Sequence, residues 1–357
     1  MRQPINLQEI RTIAQDKIEV PFWDYYRSGA GDEITLHRNI QAFNNYEILP
    51  KILVDVSQRN LTITLLGQEI SMPILIAPTA FQCLAHPDGE IATAKAAINT
   101  QTIMILSTMS TKSLEEVAQV QTQSLRWFQL YIHKDRALTK TLIERAEKAG
   151  YQALCITVDA PLIGKREADI RNQFKLPKHL KLANLSTLKL PDIKEESGLF
   201  AYFKEQMDAS VTWQDVEWLK NNTRLPILLK GILRADDAKT ACKIGVNGII
   251  VSNHGGRQLD GAIASINALS DIVNAVEGQV DILIDGGVRR GIDVFKCLAL
   301  GAKAVLIGRP ILWGLGMDGE AGVNKVLNIL KEELDLAMAL SGCPSINNIN
   351  NSLIRKI

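Results

Sequence analysis

The sequence has few cysteines, few aromatic residues and almost no net charge. Its five cysteines form no C-x-x-C pair, so neither a zinc knuckle nor a dithiol redox site is indicated, and we expect no metal centre. Isolated cysteines are typical of buried thiols in a reducing compartment. Forty Lys and Arg residues balance thirty-nine Asp and Glu residues, a formal charge of +1. This balance gives no reason to expect nucleic acid or an anionic membrane as a partner.

Long apolar runs are also missing. No stretch reaches the ~18 consecutive apolar residues of a membrane helix. The first residues are polar and lack the apolar core of a signal peptide, so we expect a cytoplasmic protein without a membrane partner. The chain has 357 residues, of which 46% are hydrophobic and 22% charged, a composition that can bury a sizeable core.

What the sequence does contain is a series of short runs rich in Ile, Val and Leu, separated by stretches typical of helices. Apolar runs without alternation are typical of strands buried on both faces, and strands that alternate with helices pair in parallel. Eight such units predict a single α/β domain over residues 1–357, a TIM (β/α)8 barrel. The runs are Ile74–Ala77, Thr102–Leu106, Trp127–Leu130, Ala153–Val158, Ile227–Lys230, Gly248–Val251, Asp281–Ile284 and Ala304–Ile307.

Two regions lie outside this repeat. Residues 1–70 are predicted to be an N-terminal helical segment, since Asn6 and Glu9 form a capping-box-like helix start. The connection 159–226 after the fourth strand is oversized and charged, which predicts a surface insertion and a candidate lid. A doubly wound open sheet is the competing architecture. It predicts a G-x-G-x-x-G turn after the first strand, and residues 76–81 contain none.

Polar residues follow every predicted strand. In TIM barrels the catalytic groups lie just beyond the carboxyl ends of the strands. A structural protein has no reason to end each buried strand in such residues, so the pattern favours an enzyme over a binding scaffold. These residues are Thr79, Ser107, Gln129, Tyr131, Thr157, Asp159, Lys230, Ser252, His254, Arg257, Asp285, Arg289 and Arg309.

The last two strands are followed by glycine-containing segments, at residues 285–289 and 307–310. Barrels often bind phosphate after strands seven and eight. Glycines expose backbone N–H groups to an anion, and an arginine adds a charge-assisted contact. Either glycine segment alone could be only a tight turn, but together they predict a phosphate site.

His254 and Arg257 stand together after the sixth strand, beside two glycines. Imidazole accepts protons near neutral pH, and a guanidinium suits a carboxylate. We therefore interpret His254 as a general base and Arg257 as a substrate-binding residue. Lys230 allows three interpretations: a Schiff-base nucleophile, a cation that stabilises a reduced cofactor, or a structural lysine. Its spacing does not separate them.

Motifs distributed along the whole chain match one known family. They are Asp24-Tyr-Tyr-Arg-Ser-Gly-Ala, Ala77-Pro-Thr-Ala, Trp127-Phe-Gln-Leu-Tyr, Thr157-Val-Asp-Ala-Pro, Arg166-Glu-Ala-Asp, Ser252-Asn-His-Gly-Gly-Arg-Gln-Leu-Asp-Gly, Asp285-Gly-Gly-Val-Arg-Arg-Gly and Ile307-Gly-Arg-Pro. The histidine-containing motif is the most specific of them. Through these motifs the chain resembles the FMN-dependent L-2-hydroxy-acid oxidases, a family that includes glycolate oxidases and lactate oxidases.

The resemblance implies a role for each matched residue. His254 would be the base and Asp159 its partner. Arg257 with Tyr25 would hold the substrate carboxylate, and Arg166 would add a second positive charge at the substrate-binding site. Tyr131 would bond to the substrate hydroxyl, and Lys230 would lie against FMN and stabilise its reduced form. The remaining FMN contacts would be Pro78, Thr79, Ala80, Ser107, Gln129, Tyr131, Thr157, Ser252, Asp285, Gly286, Gly287, Val288, Arg289, Gly308 and Arg309.

One position bears on the choice of substrate. Plant glycolate oxidases carry a bulky Trp in the segment where this chain has Met109. Methionine is adaptable, so Met109 would leave room for the methyl group of lactate. Such a pocket is worth only ~1–3 kcal/mol of discrimination. Thr79 is glycolate-oxidase-like, so the preference between lactate and glycolate stays open.

The reaction that the resemblance implies is oxidation of a short L-2-hydroxy acid to the 2-keto acid. FMN would take two electrons and O2 would reoxidise it, giving H2O2. Whether the hydrogen on carbon leaves as hydride or as a proton is left open. The alternatives are an FMN-dependent dehydrogenase that uses a quinone or cytochrome, a Schiff-base aldolase using Lys230, and a non-catalytic FMN-binding module. A homo-oligomer, a tetramer in this family, is also implied.

Overall fold

A computed structural model describes residues 3–185 and 205–357. Its α-helices, numbered in chain order, are α1 Leu7–Lys17, α2 Val20–Arg27, α3 Ile34–Gln41, α4 Gly89–Asn99, α5 Leu114–Gln119, α6 Arg136–Lys148, α7 Glu167–Arg171, α8 Trp213–Asn221, α9 Ala235–Ile244, α10 Ser265–Val276, α11 Gly291–Ala299 and α12 Arg309–Leu340. Its strands are β1 Tyr46–Ile48, β2 Ile63–Leu65, β3 Gln68–Ile70, β4 Ile74–Ile76, β5 Met104–Leu106, β6 Arg126–Leu130, β7 Leu154–Thr157, β8 Ile227–Ile232, β9 Gly248–Val251, β10 Asp281–Asp285, β11 Ala304–Ile307 and β12 Ile354–Lys356.

Strands β4 to β11 close into a barrel. Each pairs in parallel with the next one along the chain, and β11 returns to β4 with Val305 opposite Ile74. Every predicted apolar run overlaps one of these strands, so the TIM barrel is confirmed and the open sheet is wrong. Because parallel strands in a closed barrel share one direction, all their carboxyl ends meet at one mouth.

A β-hairpin packs on the other end of the barrel. Strands β2 and β3 pair in antiparallel fashion, and their side chains Leu65 and Ile70 join the apolar cluster inside the barrel. The indole Nε1 of Trp127, which lies inside that cluster, donates to Oε1 of Gln68 in the hairpin at 3.2 Å. The hairpin therefore covers the amino ends of the strands, and the carboxyl ends are left for a site.

The N-terminal segment differs in part from its prediction. Helix α1 begins as expected, with the side chain of Asn6 accepting from the backbone N–H of Glu9 at 2.9 Å. Helical structure ends by Asn45, however, and strands β1, β2 and β3 occupy much of residues 46–70. The reason is a period-two pattern in β2, where buried side chains flank an exposed one, followed by a turn at Gly67 with φ of +78°.

The long connection after β7 contains helix α7, a 3-10 turn at Ala183–Leu185 and helix α8. Helix α8 lies between the fourth and fifth barrel strands, so it is a regular helix of the barrel repeat. The extra chain predicted after strand four therefore precedes α8. Residues 186–204, with the charged stretch that suggested a lid, lie outside the described residues, and the lid stays a prediction.

Helix α12 packs across α1, α4 and α11 and fixes the N-terminal segment to the barrel. It is 32 residues long and is interrupted at Asp318 and Gly319, where the backbone leaves helical geometry. Within residues 3–185 and 205–357, no helix is both long and apolar enough to cross a membrane.

Candidate active site

A cleft of about 1100 Å³, its mouth included, lies at the carboxyl ends of the barrel strands. It brings together almost all the residues predicted from the sequence. Strands β6, β7, β8 and β10 supply some of them directly, and segments that follow the barrel strands, including the loop with His254 after β9, supply most of the others. The predicted residues that line it are Tyr25, Pro78, Thr79, Ala80, Ser107, Met109, Gln129, Tyr131, Thr157, Arg166, Lys230, His254, Arg257, Asp285, Gly286, Gly287, Val288, Arg289, Gly308 and Arg309. Asp159 and Ser252 lie behind this lining.

His254 and Asp159 form a hydrogen-bonded pair, with 2.8 Å between Nδ1 and Oδ1. Burial lowers the pKa of His254 below its usual value, and the nearby Asp159 offsets this only in part. Burial also opposes ionisation of Asp159, but the charges of His254 and Lys230 outweigh it and hold the pKa of Asp159 below the usual value. A neutral imidazole bonded to an ionised carboxylate leaves Nε2 able to accept a proton.

The approach of Asp159 depends on a glycine that the sequence reasoning missed. A Cβ atom on Gly231 would lie 2.5 Å from Cβ of Asp159, and the φ of Gly231 is +116°. Gly231 also stands at an irregularity in the pairing of β8 with β9, between Lys230 and Ile232. A glycine inside an apolar strand was the available signal, since it marks a bulge or a close approach.

Lys230 is buried beneath the cleft and bonded on two sides. Its Nζ lies 3.0 Å from Oδ2 of Asp285 and donates to Oγ of Ser252 at 2.9 Å. Burial alone would lower the pKa of Lys230, but the carboxylates of Asp285 and Asp159 outweigh it and raise that pKa. Lys230 is therefore a fixed positive charge. Ser252 also accepts from the backbone N–H of His254 at 3.0 Å, so it connects the lysine to the histidine loop.

Two arginines and a tyrosine form one side of the cleft. The guanidinium of Arg257 lies 4.9 Å from the ring centre of Tyr25, and its Nη1 donates to the carbonyl of Tyr25 at 2.7 Å. Burial and the charge of Arg257 lower the pKa of Arg166 to about 10. Among the described residues, neither arginine has a salt bridge to a carboxylate. A pair of cations, Arg166 buried and Arg257 half-buried, is suited to a carboxylate ligand.

The other end of the cleft fits a phosphate. Gly286 and Gly287 have φ of +101° and +86°, and a Cβ atom on Gly287 would lie 1.9 Å from the carbonyl oxygen of Asn39. Burial lowers the pKa of Arg289 to about 10, and its guanidinium lies 5.0 Å from the ring of Trp313. A buried cation next to exposed backbone N–H groups is the donor set that a phosphate requires.

Arg309 lines the cleft and also binds backbone carbonyls of neighbouring segments. Its Nε donates to the carbonyl of Tyr26 at 2.9 Å, and Nη1 donates to the carbonyl of Gly255 at 2.9 Å. Its Nη2 donates to the carbonyl of Ser28 at 2.8 Å. Burial lowers the pKa of Arg309 well below its usual value. It brings positive charge to the phosphate end while its donors are bonded to backbone carbonyls.

Polar groups line the cleft between these two ends. Gln129 accepts from Oγ of Ser107 at 3.3 Å and donates to Oγ1 of Thr157 at 3.1 Å. Ser107 also accepts from the backbone N–H of Met109, whose side chain is buried. Alternating donors and acceptors above a charged lysine suit the polar edge of a flavin ring, so the residues present fit FMN.

The cleft also contains residues that the sequence reasoning missed. Three of them are apolar residues at strand ends, which a sequence does not distinguish from the core. Tyr26 follows the predicted Tyr25, and its hydroxyl donates to the carbonyl of Phe81 at 2.6 Å. The additional lining residues are Tyr26, Ala77, Gly255, Leu306, Ile307 and Leu312.

Comparison with known proteins agrees with this geometry. The model of the FMN-dependent dehydrogenase family matches residues 14–356. The chain is 57% identical to the L-lactate oxidase of a Nostoc species over 98% of both chains. It is 50% identical to glycolate oxidase 1 of Zea mays, covering 99% of this chain and 96% of that one. The structure of mandelate oxidase with (S)-4-hydroxymandelic acid superposes with a TM-score of 0.93 at 39% identity, covering 96% of this chain and 97% of that one.

The barrel and its cleft thus define an FMN-dependent enzyme. The chain belongs to the FMN-dependent dehydrogenase family, and FMN is its cofactor. The class predicted from the sequence, a 2-hydroxy-acid oxidase, is confirmed by relatives that share half or more of its residues over nearly the full chain.

Proposed function

We propose that the protein oxidises a short L-2-hydroxy acid, L-lactate or glycolate, to the 2-keto acid and passes the electrons to O2, giving H2O2. The observation that carries this proposal is the His254–Asp159 pair, because His254 lines the same cleft as the cations Arg166 and Arg257. The similarity to an L-lactate oxidase and to a glycolate oxidase supports the two substrates named.

Substrate binding would use the positive side of the cleft. Arg257 has a planar fork that matches a carboxylate, and its contact with Tyr25 holds that fork in place. Arg166 adds a second charge in a buried setting, where charge interactions are stronger than in water. Tyr131 lines the same cleft and would bond to the substrate hydroxyl.

Proton removal would be the task of His254. Its Nε2 accepts a proton from the substrate, and the ionised Asp159 at Nδ1 stabilises the imidazolium that forms. The lowered pKa of His254 keeps the ring neutral and ready before substrate binds. Met109 would limit the space beside the reacting carbon.

FMN, when bound, supplies the two-electron acceptor for this oxidation. Gly286, Gly287 and Arg289 would hold its phosphate, with Arg309 adding positive charge. The charged Nζ of Lys230 would stabilise negative charge that develops at the flavin on reduction.

Two alternative functions lose support in this site. A Schiff-base aldolase needs a neutral lysine, whereas the raised pKa keeps Lys230 protonated at physiological pH. A non-catalytic FMN-binding module has no use for a buried histidine and carboxylate pair at the same cleft. An FMN-dependent dehydrogenase with a quinone or cytochrome acceptor would use the same residues, so the acceptor must be measured.

The decisive experiment is an anaerobic titration of the purified holoenzyme with L-lactate and with glycolate, followed by admission of air. We expect bleaching of the flavin absorbance with at least one acid, then recovery of colour and one H2O2 for each keto acid. D-lactate is the control and should leave the spectrum unchanged. Failure of both acids to bleach the flavin would overturn the proposal, and bleaching without peroxide on aeration would favour a different electron acceptor.

We also propose a cytoplasmic location and a homotetrameric assembly for the protein. All five cysteines are free, which supports a reducing compartment and a cytoplasmic location. A homotetramer remains the proposal that family resemblance supports. Light scattering on the holoenzyme would test it directly, and a monomeric mass would overturn it.

A further inference from the structure

A second cavity lies beside the cleft, on the side of β6, β7 and β8 of the barrel. It measures about 1090 Å³ with its opening, and its lining combines apolar side chains with the polar residues Tyr131, Thr157, Asp208, Thr212 and Asp237. Its apolar lining consists of Ile132, Val158, Ala160, Pro161, Met207, Val211, Trp213, Val216 and Ile232. The carboxylate of Asp208 at this cavity is already bound by Arg136 at 2.7 Å.

The second cavity and the cleft share a wall made of Tyr131 and Thr157, which line both spaces. Thr157 is bonded on the cleft side, where its hydroxyl accepts from Nε2 of Gln129 at 3.1 Å. Tyr131 is buried, and it lies where the substrate hydroxyl is proposed to bind. A small molecule in the second cavity is therefore one layer of side chains away from the reacting centre.

The chemistry of the lining selects among the molecules of the proposed reaction. A hydroxy acid or keto acid carries a carboxylate, and among the described residues the lining of the second cavity offers it no cation and two carboxylates, Asp208 and Asp237, of like charge. Dioxygen is small and uncharged, so these carboxylates do not repel it, and the apolar side chains of the lining suit it. The cleft differs in charge, because Arg166 and Arg257 line it.

We propose that the second cavity carries dioxygen to the cofactor, by a path separate from the acid's path. This inference rests on the proposed function, which supplies O2 as acceptor. The overall reaction balances as hydroxy acid plus O2 giving keto acid plus H2O2, so one O2 must arrive in each turnover. A side path lets it arrive while the keto acid still occupies the arginine end of the cleft.

Val211→Phe tests the path, because Val211 is half-buried in the wall of the second cavity and lies outside the cleft lining. The enzyme is reduced anaerobically with dithionite and mixed with O2 at several concentrations. We expect the second-order rate constant for reoxidation to fall several-fold. Anaerobic flavin reduction by L-lactate should stay at the wild-type rate, since the cleft is unchanged. Val120→Phe, at a half-buried valine outside both cavities, is the matched control.

A readout independent of turnover uses xenon, which binds in apolar cavities. We expect wild-type crystals under xenon pressure to show a xenon peak within the second cavity, and Val211→Phe crystals to lack it. In the wild type, xenon should slow reoxidation and leave reduction by L-lactate unaffected, a test that needs no variant. An unchanged reoxidation rate with xenon bound, or in a folded Val211→Phe variant whose new side chain fills the cavity, overturns the path.

The two proposals fail separately. Dithionite reduces the flavin whether or not the protein accepts L-lactate, so the reoxidation measurement does not depend on the substrate. If L-lactate and glycolate both fail to reduce the enzyme, the proposed substrates are wrong while the oxygen path is still measured. If reduction succeeds but filling the second cavity has no effect on reoxidation, only the oxygen path is wrong.

Discussion

His254, in the loop after β9, is the proposed proton acceptor and has an unusual backbone conformation. His254 has φ of +58°, a conformation that costs a non-glycine residue on the order of 1–3 kcal/mol. Its backbone N–H donates to Oγ of Ser252, and its ring Nδ1 is hydrogen-bonded to Oδ1 of Asp159. These two bonds hold the residue in this conformation. Strain that is held by hydrogen bonds on both backbone and ring is typical of a functional position.

His254→Ala removes the proposed proton acceptor. We expect FMN to stay bound, since the phosphate end of the cleft is untouched, and flavin reduction to slow by about 10²–10⁴-fold. Stopped-flow absorbance under anaerobic conditions measures the rate, and the visible spectrum confirms that the cofactor is retained. Reduction at the wild-type rate would show that another group accepts the proton.

The pH profile depends on the same pair. The base must be neutral, so kcat/KM should fall as the pH drops through the pKa of His254, and burial places that pKa below the usual 6.5. Asp159 raises this pKa, so Asp159→Asn should move the acidic limb to still lower pH while the plateau falls. The measurement is kcat/KM for both proteins from about pH 4 to about pH 9, a range that includes the pH values at which histidine titrates. A limb above 6.5, or one that Asp159→Asn shifts upward, would contradict this assignment.

Met109 is the residue on which substrate choice depends in our interpretation. Its side chain is buried at the cleft, where pocket volume decides whether the methyl of lactate fits. Met109→Trp should shift the ratio of kcat/KM values toward glycolate by about 10–200-fold. If Met109 merely fills a gap in packing, the same change would lower the melting temperature by overpacking without altering the ratio. Measuring both acids and thermal stability separates the two cases.

At the scale of elements, the sequence predicted every barrel strand because each is buried on both faces and reads as an unbroken apolar run. The hairpin β2–β3 was missed because each of its short strands includes an exposed polar residue, so neither forms an apolar run. Gly231 was missed for a related reason. Asp159, on the neighbouring loop, comes so close that no side chain fits at this position. Features that arise from contacts between distant segments are the ones a single sequence does not display.

Most of the residues that the resemblance implies line the cleft, but the resemblance does not tell which of them lie behind that lining. Asp159 and Ser252 lie behind the cleft lining, where they hold His254 and Lys230. A motif gives the residue type and its position in the chain. It does not tell which side chain faces the ligand and which supports its neighbour, because that depends on the direction of each side chain beyond the strand end.

The loop between β10 and α11 is the element that we expect to distinguish FMN from riboflavin. Arg289 projects a buried guanidinium there and stands next to Gly287 and Val288. Arg289→Ala should weaken FMN binding more than riboflavin binding, because only FMN carries the phosphate. Equilibrium binding of both flavins to the apoprotein measures the two losses. Equal losses would mean that Arg289 does not contact the phosphate.

At the scale of the whole molecule, the N-terminal segment and the barrel are joined through the site itself. The carbonyls at the end of α2 receive hydrogen bonds from Arg257, in the loop after β9, and from Arg309, the first residue of α12. Tyr25, which lies in α2, lines the cleft, so the segment that precedes the barrel completes the site. Packing of α12 against α1 adds a second connection far from the cleft.

Arg309→Lys tests this connection. The guanidinium reaches three carbonyls at once, those of Tyr26, Ser28 and Gly255, whereas an ammonium on a single stem does not span them. Each hydrogen bond to a charged group that is lost costs about 1.5–3 kcal/mol. We expect faster amide hydrogen exchange in residues 20–31 and a lower melting temperature, with exchange in the strands on the far side of the barrel less affected. Arg38→Lys, at an exposed position of α3, is the control and should change neither. Exchange in residues 20–31 that matches the wild type would mean that contacts other than those of Arg309 hold the N-terminal segment.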